Sequence, residues 1–130
     1  MKKIISTDKA AAAVGPYSQG VAYKDLLFVS GQIAIDPKTG NFIGGDIETQ
    51  TKQVLKNLTA VIEAAGLTLQ DVLKCSCFLK NMEDFPRFNA AYAAYFGEKP
   101  PARETLEVSR LPKDADVEVS AICGKSAAEY

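Results

Sequence analysis

Val72-Leu73-Lys74-Cys75-Ser76-Cys77-Phe78-Leu79 reads as a strand lying between two helices. Leu73, Cys75, Cys77 and Leu79 fall at alternate positions and share one face. Upstream, Asp46 is an N-cap residue and Glu48 suits the positive end of a helix dipole. Ile47, Val54, Leu55, Leu58, Val61 and Ile62 then recur at helical spacing until Gly66, a C′ residue. Downstream, Asp84 is a candidate cap, Pro86 fits a first helical turn, and Gly97 ends the segment. Phe85, Phe88, Tyr92, Tyr95 and Phe96 make that second helix's apolar stripe, which reads as core.

Further strands lie outward from this centre. Lys3-Ile4-Ile5 is a short edge strand, and Gly15-Pro16-Tyr17-Ser18-Gln19-Gly20 turns into a second strand over Val21-Ala22-Tyr23. Leu26-Leu27-Phe28-Val29-Ser30-Gly31-Gln32-Ile33 follows a tight Lys24-Asp25 connection and pairs antiparallel with it. Pro100-Pro101 leads into a strand from Ala102 to Val108, and Val117 to Cys123 is the last strand. The order β-β-β-α-β-α-β-β predicts an α+β fold, a mixed sheet with two helices on one face, in a single domain over 1–130. Leu26 to Val29 is apolar on both sides of its strand. Two helices cover one sheet face, so the other is expected to meet a second chain. Residues Ser126 to Tyr130 read as a frayed tail.

Composition excludes several chemistries. The chain has no histidine, which removes the usual general base and the commonest ligand of catalytic zinc. Neither a Ser-His-Asp triad nor a metal or organic cofactor is expected. Net charge is −1 with no run of like charges, which speaks against a nucleic-acid partner. No apolar run reaches the roughly 20 residues of a membrane span. Three cysteines, Cys75, Cys77 and Cys123, with no signal peptide point to a reducing, cytoplasmic setting.

Chemistry then rests on few residues. Arg103 follows a rigid Pro-Pro pair, and its guanidinium is a planar fork suited to a carboxylate or phosphate. Glu118 sits mid-strand between valines, so it is either solvated or buried with a reason. The short connection between the last two strands predicts that they pair, which would set Arg103 beside Glu118 as a cross-strand ion pair or as part of an anion site. Tyr17 and Ser30 lie at strand ends next to Gly15, Gly20 and Gly31, where glycine admits a ligand to the backbone. Both also read as ordinary strand polar residues, and Asn89 as an exposed helical amide.

Gly15-Pro16-Tyr17-Ser18-Gln19, Val29-Ser30-Gly31-Gln32, Asp36-Pro37 with Thr39-Gly40, and Gln50-Thr51 with Asn57-Leu58 carry a resemblance that continues through Phe85, Asn89, Tyr92, Phe96, Pro101-Ala102-Arg103, Leu111-Pro112 and Glu118. Together they resemble the RidA (YjgF/YER057c/UK114) family of enamine and imine deaminases. The resemblance implies a chorismate-mutase-like fold assembled as a homotrimer, with active sites between subunits and no cofactor. It implies hydrolysis of 2-aminoacrylate and 2-aminocrotonate, or their imine tautomers, to 2-keto acids and ammonia. In that picture Arg103 binds the substrate carboxylate and Glu118 positions and activates water. Tyr17, Ser30 and Gly31 line the pocket, with Asn89 nearby and Thr105 where a pocket cysteine is frequent. Glu104-Thr105-Leu106 replaces an archetypal Ser-Cys-Val, and strand alternation turns Glu104 away from the Arg103 side. Ser120 stands where a second glutamate is frequent. The alternative class is a regulatory or chaperone-like protein, or a ribonuclease or translation inhibitor.

Overall fold

A computed structural model describes residues 1–125, so the tail expected over 126–130 lies outside the described residues. The chain runs β1 (Lys3–Ile5), β2 (Gly20–Tyr23), β3 (Leu26–Gln32), α1 (Ile47–Ala64), β4 (Val72–Leu79), α2 (Phe85–Phe96), β5 (Ala102–Glu107) and β6 (Val117–Gly124). The strands form one sheet in the order β1-β2-β3-β6-β4-β5. All neighbours are antiparallel except β4 and β5. The expected α+β architecture, with both helices against one sheet face, is what the chain adopts.

Local chemistry sets the helix limits. The Asp46 carboxylate accepts from the Thr49 N–H at 2.8 Å and opens α1, and Gly66, at φ +82°, turns the chain out after it. Val54, Leu55, Leu58, Val61 and Ile62 are fully buried against the sheet. Asp84 makes no capping hydrogen bond, contrary to expectation. The work is done one turn earlier, where the Asn81 side chain accepts from the Glu83 N–H at 2.9 Å and caps a 3₁₀ turn that runs straight into α2.

Two expectations are corrected, one of strand pairing and one of side-chain facing. The last two strands do not pair: β6 lies between β3 and β4, and β5 lies at the edge beside β4. Burial gives the reason. Val117, Val119 and Cys123 are fully buried and Ala121 nearly so, whereas no residue of β5 is buried. The strand with the better apolar face takes the centre, and the β4-α2-β5 unit puts its second strand parallel at the rim. The second correction is at Leu73, which is 52% exposed while Val72 is buried. An irregularity in the β4–β6 register between Val72 and Lys74 shifts the alternation there by one residue, leaving Cys75, Cys77 and Leu79 on the helix side.

The other sheet face is open in the single chain. Leu26, Phe28, Leu73 and Leu106 stand on it, each 40–52% exposed. That is the bare apolar surface the Leu26–Val29 stretch predicts.

Candidate functional site

The site residues named from sequence divide into two groups on opposite faces of the sheet. Arg103 lies opposite Cys75 in register, and Cys75 is fully buried on the helix side. Glu118 lies opposite Phe78, between the buried Val117 and Val119, and so projects from the other face. From Cys75 to Phe78 is three residues along β4, and β4 separates the two strands. Strand geometry makes this roughly 10 Å along the sheet and 10 Å across it. The expected cross-strand Arg103–Glu118 pair therefore does not form. The last strands are not neighbours, and their two side chains face opposite ways.

The first group surrounds Arg103. It opens on a cleft of about 350 Å³ lined by Asn89, Tyr92, Phe96, Pro100, Pro101 and Arg103. Among the described residues the guanidinium has no ion pair and no hydrogen bond. The salt bridges are Lys74–Glu104, Arg87–Glu48 and Arg110–Asp114. Around it lie buried polar atoms that also lack partners, Asn89 Oδ1 and Thr105 Oγ1, while the Tyr92 hydroxyl adjoins the Cys75 thiol. Burial, then the adjoining Cys75 thiol, holds the Tyr92 phenol protonated well above its usual range. Buried donors and acceptors are normally satisfied, so this concentration beside an unpaired cation makes the cleft a candidate ligand site. Glu104 is not part of it. Its carboxylate bonds the Ser76 hydroxyl and pairs with Lys74 Nζ at 3.1 Å on the opposite face, as alternation predicts, and those partners lower its pKa.

The second group surrounds Glu118. Tyr17, Gly31, Gln32, Ile33 and Glu118 line a separate cleft of about 350 Å³. Glu118 is half-buried, and burial alone raises its carboxyl above the ordinary glutamate value of 4.5. The carboxylate lies directly over the backbone of Gly31, where any Cβ would collide with it. A break in the β3–β6 register between Val29 and Gln32 places Gly31 there. Tyr17 is 51% exposed at the rim. Ser30 is held differently from expectation: its hydroxyl donates to the Ser18 carbonyl at 2.6 Å and its N–H to the Gln19 carbonyl at 3.0 Å. Ser30 thus fastens the Tyr17 segment to β3, with its proton already committed.

The ring faces around Arg103 were absent from the sequence-based site. Its Cζ lies 4.9 Å from the Tyr92 centroid, 5.4 Å from Phe85 and 5.8 Å from Phe88. The i, i+4 spacing of Phe88 and Tyr92 is visible in the sequence, but it is indistinguishable there from a core stripe. Among the described residues no group of three or more His, Cys, Asp or Glu is placed to hold a metal, and no helix is long and apolar enough to cross a membrane.

The fold has close counterparts among known proteins. Residues 7–124 match the family model described as Endoribonuclease L-PSP. The chain belongs to that family, the YjgF/RidA family. It is 53% identical over 125 residues to a RutC family protein of Pyrococcus horikoshii, covering 96% of this chain and 99% of that one. It is 46% identical over 125 residues to the 2-iminobutanoate/2-iminopropanoate deaminase of Escherichia coli K12, covering 94% and 97%. The crystal structure of the Escherichia coli YjgF gene product superposes with a TM-score of 0.92 at 44% identity, covering 95% of this chain and 99% of that one.

Proposed function

We propose that the protein hydrolyses short 2-imino acids, or the enamines from which they form, to 2-keto acids and ammonia. It would do so at a site completed only when copies of the chain assemble. The carrying observation is the Arg103 fork, which among the described residues pairs with no carboxylate and stands beside the unpartnered, buried Asn89 Oδ1 and Thr105 Oγ1. Such a fork accepts a carboxylate through two parallel charge-assisted hydrogen bonds. The deaminase named for the Escherichia coli relative supplies the substrate class.

The chemistry follows from what each group can do. A 2-enamine acid tautomerises to an imine, moving a proton from nitrogen to the β-carbon. Water adds to the imine carbon, and Glu118 accepts a proton from that water. Glu118 returns that proton to the imine nitrogen, giving a neutral amino alcohol; the hydroxyl then gives up its proton to nitrogen through the same carboxylate, the C–N bond breaks, ammonia leaves and the carbonyl forms. The imine carbon is already electrophilic, so no metal or organic cofactor is asked for. Orientation supplies several kcal/mol and the general base about 10²–10⁴-fold. Thr105 and Asn89 would hold the nitrogen end or the side chain of the substrate, with Tyr17 and the Gly31 backbone closing the pocket.

Arg103 and Glu118 lie too far apart, on opposite faces, to serve one small molecule within one chain. A second copy resolves this by laying its Glu118 face against the Arg103 edge of the first. The exposed Leu26, Phe28, Leu73 and Leu106 surface supplies the apolar contact for such assembly, which we propose is a homotrimer. Three unpaired, buried thiols fit a reducing, cytoplasmic compartment.

The test couples the purified protein to a threonine dehydratase with threonine and follows 2-oxobutanoate and ammonia. We expect release to accelerate with wild type. Arg103→Ala should remove nearly all of the acceleration, and Arg103→Lys most of it, because an ammonium cannot reproduce the bidentate fork. No acceleration, together with cleavage of single-stranded RNA, would favour an endoribonuclease activity instead.

A further inference from the structure

A cationic side chain that must receive a ligand's carboxylate poses a positioning problem. Arginine carries several rotatable bonds, and an ion pair within the protein would hold it still only by occupying the donors the ligand needs. Among the described residues no carboxylate pairs with the Arg103 guanidinium. Phe85, Phe88 and Tyr92 come from successive turns of one face of α2, and all three ring centroids lie within 5.8 Å of the Arg103 Cζ. Aromatic faces attract a guanidinium through the ring quadrupole and leave its N–H edge unspent. The rings are themselves fixed. Phe88 is fully buried and Tyr92 is 5% exposed. Phe88 and Tyr92 pack at 5.4 Å between centroids, and Tyr92 and Phe96 at 4.7 Å.

We infer that Phe85, Phe88 and Tyr92 form a cation–π cradle that positions the Arg103 guanidinium, making the α2 aromatic face a determinant of carboxylate affinity as well as core. The inference rests on the proposal that Arg103 binds the substrate carboxylate. It adds that the affinity depends on ring faces that never touch the ligand's charge.

Phe85 is the position to test, because it is only partly buried and sits at the start of α2. Binding of 2-oxobutanoate is measured by calorimetry for wild type, Phe85→Leu, Phe85→Met and Phe85→Tyr, with Arg103→Ala as reference. Thermal unfolding identifies the variants that fold. The leucine and methionine variants fill the space without a π face and should bind about 3- to 30-fold more weakly. In turnover this should appear as a raised KM with kcat held. The tyrosine variant restores the face and should return to wild-type affinity. A second readout needs no ligand: the Arg103 Nε–H proton resonance should carry a ring-current shift in wild type and Phe85→Tyr that shrinks in Phe85→Leu. Wild-type binding and an unchanged Nε–H resonance in the leucine and methionine variants, with Arg103→Ala inactive, would overturn the cradle and leave the role of Arg103 standing. A tyrosine variant as weak as leucine would overturn it too, since side-chain size would then be the cause. Undiminished binding by Arg103→Ala would remove the carboxylate-binding proposal and this inference with it.

Discussion

Glu118 is the residue on which environment acts most directly. Among the described residues it has no cation partner, and burial raises its carboxyl above 4.5. The sign of the consequence is unusual for an acidic side chain. Below the unfolded value both states are protonated and Glu118 leaves stability unaffected. As pH rises through the folded value the buried carboxylate charges, and folding bears that desolvation. Glu118→Gln is therefore expected to unfold at a higher temperature than wild type at neutral pH and at the same temperature near pH 3. Its turnover should fall on the order of 10²-fold or more, with product binding retained. The acidic limb of kcat/KM in wild type should lie above the ordinary glutamate value and vanish in the variant. A variant that turns over normally would leave Glu118 without a catalytic part.

At the scale of elements, β3 and β6 act together. The register break in β3 sets Gly31 beneath the Glu118 carboxylate, and no side chain fits between them. Gly31→Ala must push that carboxylate toward water or spread the two strands. We expect loss of activity on the order of that from Glu118→Gln, with the acidic limb moved to lower pH in whatever activity survives. An alanine variant with the wild-type pH profile would show that the carboxylate's seat is unimportant. This contact was not legible in the sequence: a glycine in a strand signals close approach without naming what approaches. Much else was legible. Helix limits followed from Asp46, Gly66 and Gly97, and the buried stripes from simple periodicity. Neither the placing of β5 and β6 nor the outward turn of Leu73 could be read. Strand order depends on which faces bury most area across the whole sheet, and a one-residue irregularity inverts alternation without changing composition. Predicting that the last strands pair led directly to the unformed Arg103–Glu118 contact.

At the scale of the molecule, the single chain carries two separate clefts and an exposed apolar sheet face. Burying Leu26, Phe28, Leu73 and Leu106 on assembly would stabilise it by about 25 cal/mol per Å² of apolar surface removed from water. Phe28→Asp should turn sedimentation from trimer to monomer and abolish turnover while far-UV circular dichroism stays native. A wild type that sediments as a monomer at micromolar concentration would sink the assembly.

The proposal of a site shared between copies is tested most directly by complementation. Arg103→Ala and Glu118→Gln proteins, each inactive alone, are mixed, dissociated and reassembled, with mixing confirmed by mass spectrometry of the intact assembly. If one copy gives Arg103 and its neighbour gives Glu118, random assembly restores both groups to about one site in four. Turnover should then recover to about a quarter of wild type. Mixed assemblies that stay as inactive as their parents would contradict a site built from two copies.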